Sequence, residues 1–225
     1  IENEDYSRYV LGNIFLRYFI NTLNDKQFPN EGMLLKLTGQ AVSGTEEFSS
    51  SLNIESNQAE KYLSWMQFRA NFESYYKFNK HFTMGIIADG AYSSRKLSNN
   101  YIASILQAPS FNPTNHSQIS LNEAFSANKY LAAGVKPIYN ITRQLALRGE
   151  FYVFAPIYPI EKDVNNKAYY GELFSRYNYL GELSLVFRLP FVSISIYGNH
   201  YNVPSGNWNV GFNIGYLIFN NKFLD

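Results

Sequence analysis

Trp208-Asn209-Val210-Gly211-Phe212-Asn213-Ile214-Gly215-Tyr216-Leu217-Ile218-Phe219 sets a pattern that the rest of the chain repeats. Every second residue is large and apolar, from Trp208 through Val210, Phe212, Ile214 and Tyr216 to Ile218. Between them stand Asn209, Gly211, Asn213 and Gly215. A period of two places the two sets on opposite faces of a β-strand. A soluble sheet buries its large apolar face and sets charges on the other. Here the second face is small, uncharged and amide-bearing. A strand of a transmembrane barrel has this character: about ten residues, apolar toward lipid, wet inside, aromatic near the interfaces.

The pattern recurs along the chain. Between Gly12 and Asn21, Ile14, Leu16, Tyr18 and Ile20 alternate with Asn13, Phe15, Arg17 and Phe19. The same alternation runs through 33–42, 65–76, 82–89, 130–137, 145–153, 181–189 and 192–197, which predicts about nine strands. Short or moderate connections near 22–32, 78–80, 140–142 and 189–191 alternate with long polar ones at 43–61, 94–127 and 158–174; only 202–207 breaks the series. Short turns at one end and long loops at the other are the habit of an outer-membrane barrel. Within 94–127, Tyr101, Ile102, Ile105 and Leu106 stand at helical spacing before Pro109, which predicts a short helix inside a long loop.

Charge is segregated in the same register. Arg17, Lys36, Arg69, Glu73, Asp89, Lys136, Arg148, Glu150, Glu182 and Arg188 fall on the wet faces, and the apolar faces of these strands carry no charge. A charge toward the bilayer midplane costs about 2–4 kcal/mol, so this partition predicts an antiparallel all-β transmembrane barrel domain in the cell outer membrane, with lipid as a partner. Arg17, Arg69, Glu73, Lys136, Arg148, Glu150, Glu182 and Arg188 are expected in the lumen, and Leu183, Leu185, Ile194, Phe212 and Ile214 against lipid. Nine strands do not close, because single-chain bacterial barrels have even counts and lipid tolerates no open sheet edge. The N-terminal Ile1-Glu2-Asn3-Glu4-Asp5 is not signal-like, so the reading is a mature chain or a C-terminal fragment of a larger barrel whose remaining strands complete it.

Composition narrows the function. The net charge of +1 offers no electrostatic footprint for nucleic acid. Without Cys there is no disulfide framework, thiolate metal site or Cys nucleophile. The 17% aromatic fraction holds 19 Tyr beside 18 Phe and 2 Trp, and tyrosine suits interfaces where one end of the ring is wet. His81, His116 and His200 are widely separated and lack metal-ligand spacing, so no metal or other cofactor is expected. Glu150 and Glu182 could be imagined as a paired-carboxylate hydrolase, but charges that satisfy one another inside a lumen explain them more simply. No G-x-S-x-G elbow is present, and no catalytic residue is assigned.

Several stretches carry a family resemblance. They are Asn21-Thr22-Leu23-Asn24 with Phe28-Pro29-Asn30-Glu31-Gly32, Leu106-Gln107-Ala108-Pro109, Tyr130-Leu131-Ala132-Ala133-Gly134, and the run Gly181–Pro190, G-E-L-S-L-V-F-R-L-P. In order and spacing the chain resembles the C-terminal part of the sixteen-stranded barrels of the BamA-like surface-antigen superfamily, and more closely the barrel attached to patatin-like phospholipases of Gram-negative bacteria. The resemblance implies that residues 12–219 are the last nine of sixteen strands and that 94–127 folds back into the barrel. It also implies anchoring, assembly or translocation of an attached lipid-hydrolase domain, with no chemistry in this chain. Two features depart from the family: Phe125-Ser126-Ala127-Asn128 stands where an Arg-Gly-Phe-like loop tip is expected, and neither patatin catalytic element is recognisable. The alternatives are a barrel enzyme or pore acting on lipid or solute through lumen residues and, more distantly, a soluble lipocalin-like barrel with its apolar faces inward.

Overall fold

The computed structural model describes residues 6–49, 59–98, 100–120, 122–189, 192–203 and 208–216. Its main body is a nine-stranded antiparallel meander. The strands are β1 (Tyr6–Asn21), β2 (Gly32–Ser49), β3 (Ala59–Lys77), β4 (Phe82–Ser93), β5 (Lys129–Asn140), β6 (Leu145–Pro156), β9 (Asn178–Arg188), β10 (Val192–Tyr201) and β11 (Trp208–Tyr216). Two short strands, β7 (Ile160–Lys162) and β8 (Ala168–Tyr170), pair apart as a hairpin. Two helices, α1 (Tyr101–Gln107) and α2 (Asn115–Ile119), and a 3-10 turn at Glu123–Phe125 lie between β4 and β5. No helix among the described residues is long and apolar enough to cross a membrane. The sheet is open: strand order ends at β1 on one side and β11 on the other, and the two do not pair.

Residues 43–61 are not the long loop their polarity suggests. The ladder continues through Tyr6↔Ser49 and Phe48↔Ala59, and the rest of that stretch, 50–58, lies outside the described residues. At roughly 3.3 Å per residue, the 18 and 19 residues of β2 and β3 make long strands whose upper rungs are polar. Arg8 stands directly opposite Glu47 there, an opposite-charge pair that supports the ladder. The connection after β6 likewise holds structure that its composition hides. The hairpin β7–β8 packs Ile160 and Ala168 on Ile105 and Ala108 of the α1 region.

One face of the sheet is bare and the other is covered by the chain itself. The segment between β4 and β5 lies over the concave side, stitched at its base by Ser93 N–H to Asn128 O at 2.6 Å and Ala127 N–H to Pro109 O at 3.1 Å. It buries Phe111 and Phe125 against Tyr130, Tyr152, Phe154, Leu180 and Tyr201 on the inner faces of β5, β6, β9 and β10. Each phenylalanine is 2% exposed, which contributes about 1.5–3 kcal/mol apiece. The core of this protein is thus inside the curl of one sheet rather than between two. Asn100 and Thr114 cap the two helices, with Thr114 and Ser117 forming a capping box, so these short helices end in satisfied backbone groups.

Three inward glycines receive a tyrosine ring from the directly opposite residue of the next strand. The pairs are Tyr75↔Gly85, Tyr152↔Gly134 and Tyr197↔Gly211. A Cβ on Gly134 would lie 2.2 Å from Tyr152 Cδ1, and one on Gly85 2.6 Å from Tyr75 Cε1. Rings laid flat over glycines let the sheet bend inward while its phenols stay in line with the polar rungs. Gly134→Ala should therefore lower stability by about 1–3 kcal/mol, the cost of overpacking. Gly181→Ala, where a Cβ meets nothing within 4 Å, should be near neutral. Denaturant midpoints of the two variants check this, and equal midpoints would remove the ring-over-glycine account.

Candidate functional site

Alternation stacks the inner-face polar side chains two residues apart along each strand, and register brings them level across strands. Arg69 and Asn71 on β3 meet Asp89 on β4, and Tyr130 on β5 completes this upper group. Asp89 accepts from Arg69 Nη2 at 3.0 Å, Asn71 Nδ2 at 3.0 Å and Tyr130 Oη at 2.7 Å. The Asp89 side chain is 1% exposed, so three donors compensate the lost hydration of its carboxylate.

Below it lies a larger group. Lys136 Nζ donates to Glu73 Oε1 at 2.6 Å, and Tyr75 Oη donates to the same oxygen at 2.5 Å. Arg148 is buried and spends its guanidinium on three neighbours. Nε meets Glu150 Oε1 at 2.5 Å, Nη2 meets Tyr75 Oη at 2.9 Å, and Nη1 meets the Pro29 carbonyl at 2.9 Å. Tyr152 donates to the other oxygen of Glu150. Tyr75 and Arg148 belong to β3 and β6, which in a flat sheet lie about 14 Å apart. Their direct bond measures how strongly the sheet curls.

The connection from β1 to β2 folds into this group. Gly32, at φ +92°, turns the chain where a Cβ would lie 2.1 Å from the Thr22 carbonyl oxygen. Asn24 accepts from the backbone N–H groups of Asn30 and Glu31, and Asp25 from those of Gln27 and Phe28, which makes a compact knot. Phe28 and Pro29 are buried, and Arg188 Nη2 donates to the Phe28 carbonyl at 3.2 Å while its Nε finds no partner. Gln27 reaches Gly215 on β11, where a Cβ would strike its amide. The turn therefore spans the lower end of the curl. Between it and α2 remains a cavity of about 350 Å³, walled by Lys36, Glu73, Lys136, Arg148, Glu150 and Glu182.

Of the residues expected on the wet side, Glu73, Lys136, Arg148 and Glu150 join in one group and Arg69 in the upper one. Arg188 holds the turn, and Arg17 stands exposed on edge strand β1, in the rung of Thr38, Arg69, Ala91 and Tyr130. Glu182 sits directly opposite Glu150 and accepts from Asn199 Nδ2 at 3.3 Å. Leu183, Leu185, Ile194, Phe212 and Ile214 stand on the bare face, all exposed. Sequence reading passed over Tyr75, Tyr130, Tyr152 and Asn199. Tyr75 and Tyr152 carried a signal, a carboxylate two residues away on the same inner face, Glu73 and Glu150; Tyr130 and Asn199 have no charged neighbour at that spacing. The carbonyls of Phe28 and Pro29 left no signal at all.

Both oxygens of Glu150 are engaged, by Arg148 and Tyr152. His116 Nδ1 lies 2.9 Å from Tyr201 Oη, His81 Nδ1 lies 2.9 Å from the Asn140 carbonyl, and the His200 ring lies tilted against Trp208 on the outside, 5.0 Å between centroids. Among the described residues no three His, Asp or Glu side chains converge as a metal site. In the outer loops, burial and then the neighbouring Glu123 carboxylate, 3.1 Å away, push the Tyr101 phenol up to about 12. It therefore stays a neutral donor between α1 and the 3-10 turn. No family model matches the chain, and no curated protein or solved structure matches it.

Proposed function

We propose that this chain is part of the wall of an outer-membrane β-barrel, the last nine of sixteen strands, and that it anchors, assembles or translocates an attached patatin-like lipid-hydrolase domain without chemistry of its own. The observation that carries the reading is the division of the sheet. Its polar network is turned inward and covered by the chain's own loops, while a continuous apolar face stays bare. Water gives no reason to leave Ile14, Leu16, Phe212 and Ile214 uncovered; a bilayer does. In lipid the unpaired edges of β1 and β11 would cost several kcal/mol per backbone group, so further strands close the wall. In this reading the segment 94–127 and the turn 22–31 fill the two ends of the lumen, and the buried charges hold them there.

The runner-up, a barrel enzyme or pore acting on lipid or solute, rests on Glu150 lying opposite Glu182 beside a polar cavity. Esterase assays on the chain and on its full-length parent, both purified from membranes, separate the two. Activity in the parent alone is the expected result. Activity in the chain that Glu150→Gln or Glu182→Gln abolishes would overturn the anchor reading.

A further inference from the structure

Two cavities meet on the bare face of β2–β5, and together they have the outline of one amphiphile. Two adjacent outward rungs build the lower one: Leu16↔Gly39↔Phe68↔Tyr92↔Lys129 and Tyr18↔Leu37↔Ala70↔Gly90↔Leu131. Large residues sit at both sides, and Gly39, Ala70 and Gly90 leave the middle low. The result is an apolar groove of about 730 Å³ walled by Tyr18, Phe68, Tyr92 and Leu131. Tyr92 also lines the upper cavity, about 500 Å³, together with Ser94, Lys96, Lys129, Tyr158 and Tyr170. That lining holds two lysines and no carboxylate.

Lys129 is the unusual residue. It is the one Asp, Glu, Lys or Arg on the outward rungs of β4, β5, β6, β9, β10 and β11 among the described residues. It stands on the last rung before the outer loops, with its ammonium 4.9 Å from the centre of the Tyr92 ring. That contact keeps the charge at the wall instead of letting it swing into solvent. A cation there is unfavourable on a hydrocarbon-facing wall and favourable where an anionic headgroup begins. The phenols of Tyr158 and Tyr170, both exposed, stand beside it, and aromatic residues of this kind mark the interface. The Tyr170 hydroxyl is tied to Asn128 Nδ2 at 2.7 Å, which fixes that side of the cavity.

We propose that this outer wall binds an anionic lipid that bears phosphate, one acyl chain lying in the Gly39–Ala70–Gly90 groove and the phosphate between Lys96 and Lys129. The site rests on the membrane reading above. It goes beyond it by naming a resident lipid and where it sits. Charge complementarity chooses the ligand: the upper cavity is lined by Arg95, Lys96 and Lys129 and by no carboxylate, and the lower one is apolar.

The test uses the full-length protein, extracted from the outer membrane of a producing Gram-negative cell. It is exchanged into detergent with equal phosphatidylglycerol and phosphatidylcholine, and retained lipid is weighed by native mass spectrometry. Phosphatidylglycerol should be retained preferentially. The variant Lys96→Gln with Lys129→Gln, both away from the core, should lose roughly thirtyfold of that preference, in line with the combined effect of two lysines at an anionic surface. Ala70→Leu, which fills the groove, should lower retention of both lipids. Equal retention of the two lipids by wild type, or an unchanged preference in the lysine variant, would overturn the site and leave the barrel reading standing. Retention without lipid but with doubled particle mass would assign the wall to a second copy. Absence of the protein from the outer-membrane fraction would overturn the barrel reading and the site with it.

Discussion

Replacing Phe212 by Arg is expected to cost about 2–4 kcal/mol of folding stability in phospholipid vesicles, whereas replacing its neighbour Asn213 by Arg costs less than about 1 kcal/mol. The two residues are adjacent on β11 and differ only in the face they occupy. Phe212 is 71% exposed on the bare side. Asn213 points inward, where its Nδ2 lies 3.4 Å from Ser195 Oγ. In a bilayer the first substitution places a guanidinium in hydrocarbon, and the second adds one to a wet lumen. In water the order would shrink or reverse, because an exposed Phe→Arg change removes apolar surface from solvent. Denaturant titration of vesicle-folded protein reads both values. Equal costs would mean that the bare face does not meet lipid.

The strand pattern was legible because each central rung obeys two requirements at once, backbone pairing and a face. Arg148, Glu150 and Tyr152 alternate with Leu147, Gly149, Phe151 and Val153, and the period alone sorts them. Nine strands in an antiparallel order follow from the same period. The α1 helix was legible too, from the spacing of Tyr101, Ile102, Ile105 and Leu106. The upper rungs of β1–β3 were not. Above an apolar belt only pairing remains, so Ser43, Thr45 and Glu47 read as loop residues while forming a regular ladder. The hairpin β7–β8 was hidden because three-residue strands carry too little period to detect. The seating of the turn at 22–31 was hidden for a different reason. What the arginines grip there is main chain, and any sequence offers carbonyls.

That grip gives the second large effect. Arg148→Met should destabilise the protein by about 3–5 kcal/mol, since it leaves the Glu150 carboxylate buried without its cation. The Glu150 side chain is only 8% exposed, and Tyr152 alone does not replace a guanidinium. Adding Glu150→Gln to Arg148→Met should recover most of the loss, because a neutral amide still accepts from Tyr152 and no charge remains to solvate. The turn responds differently. Arg148 Nη1 is what holds the Pro29 carbonyl, and neither methionine nor glutamine at these positions restores that donor. Amide hydrogen exchange at Phe28, Asn30 and Glu31 should therefore quicken in the single variant and stay quick in the double. Stability that fails to recover in the double variant would show that the buried pair is not the source of the loss. Turn amides protected equally in all three proteins would show that Arg148 does not hold the turn, and its seating across the lower end of the curl would then need another explanation.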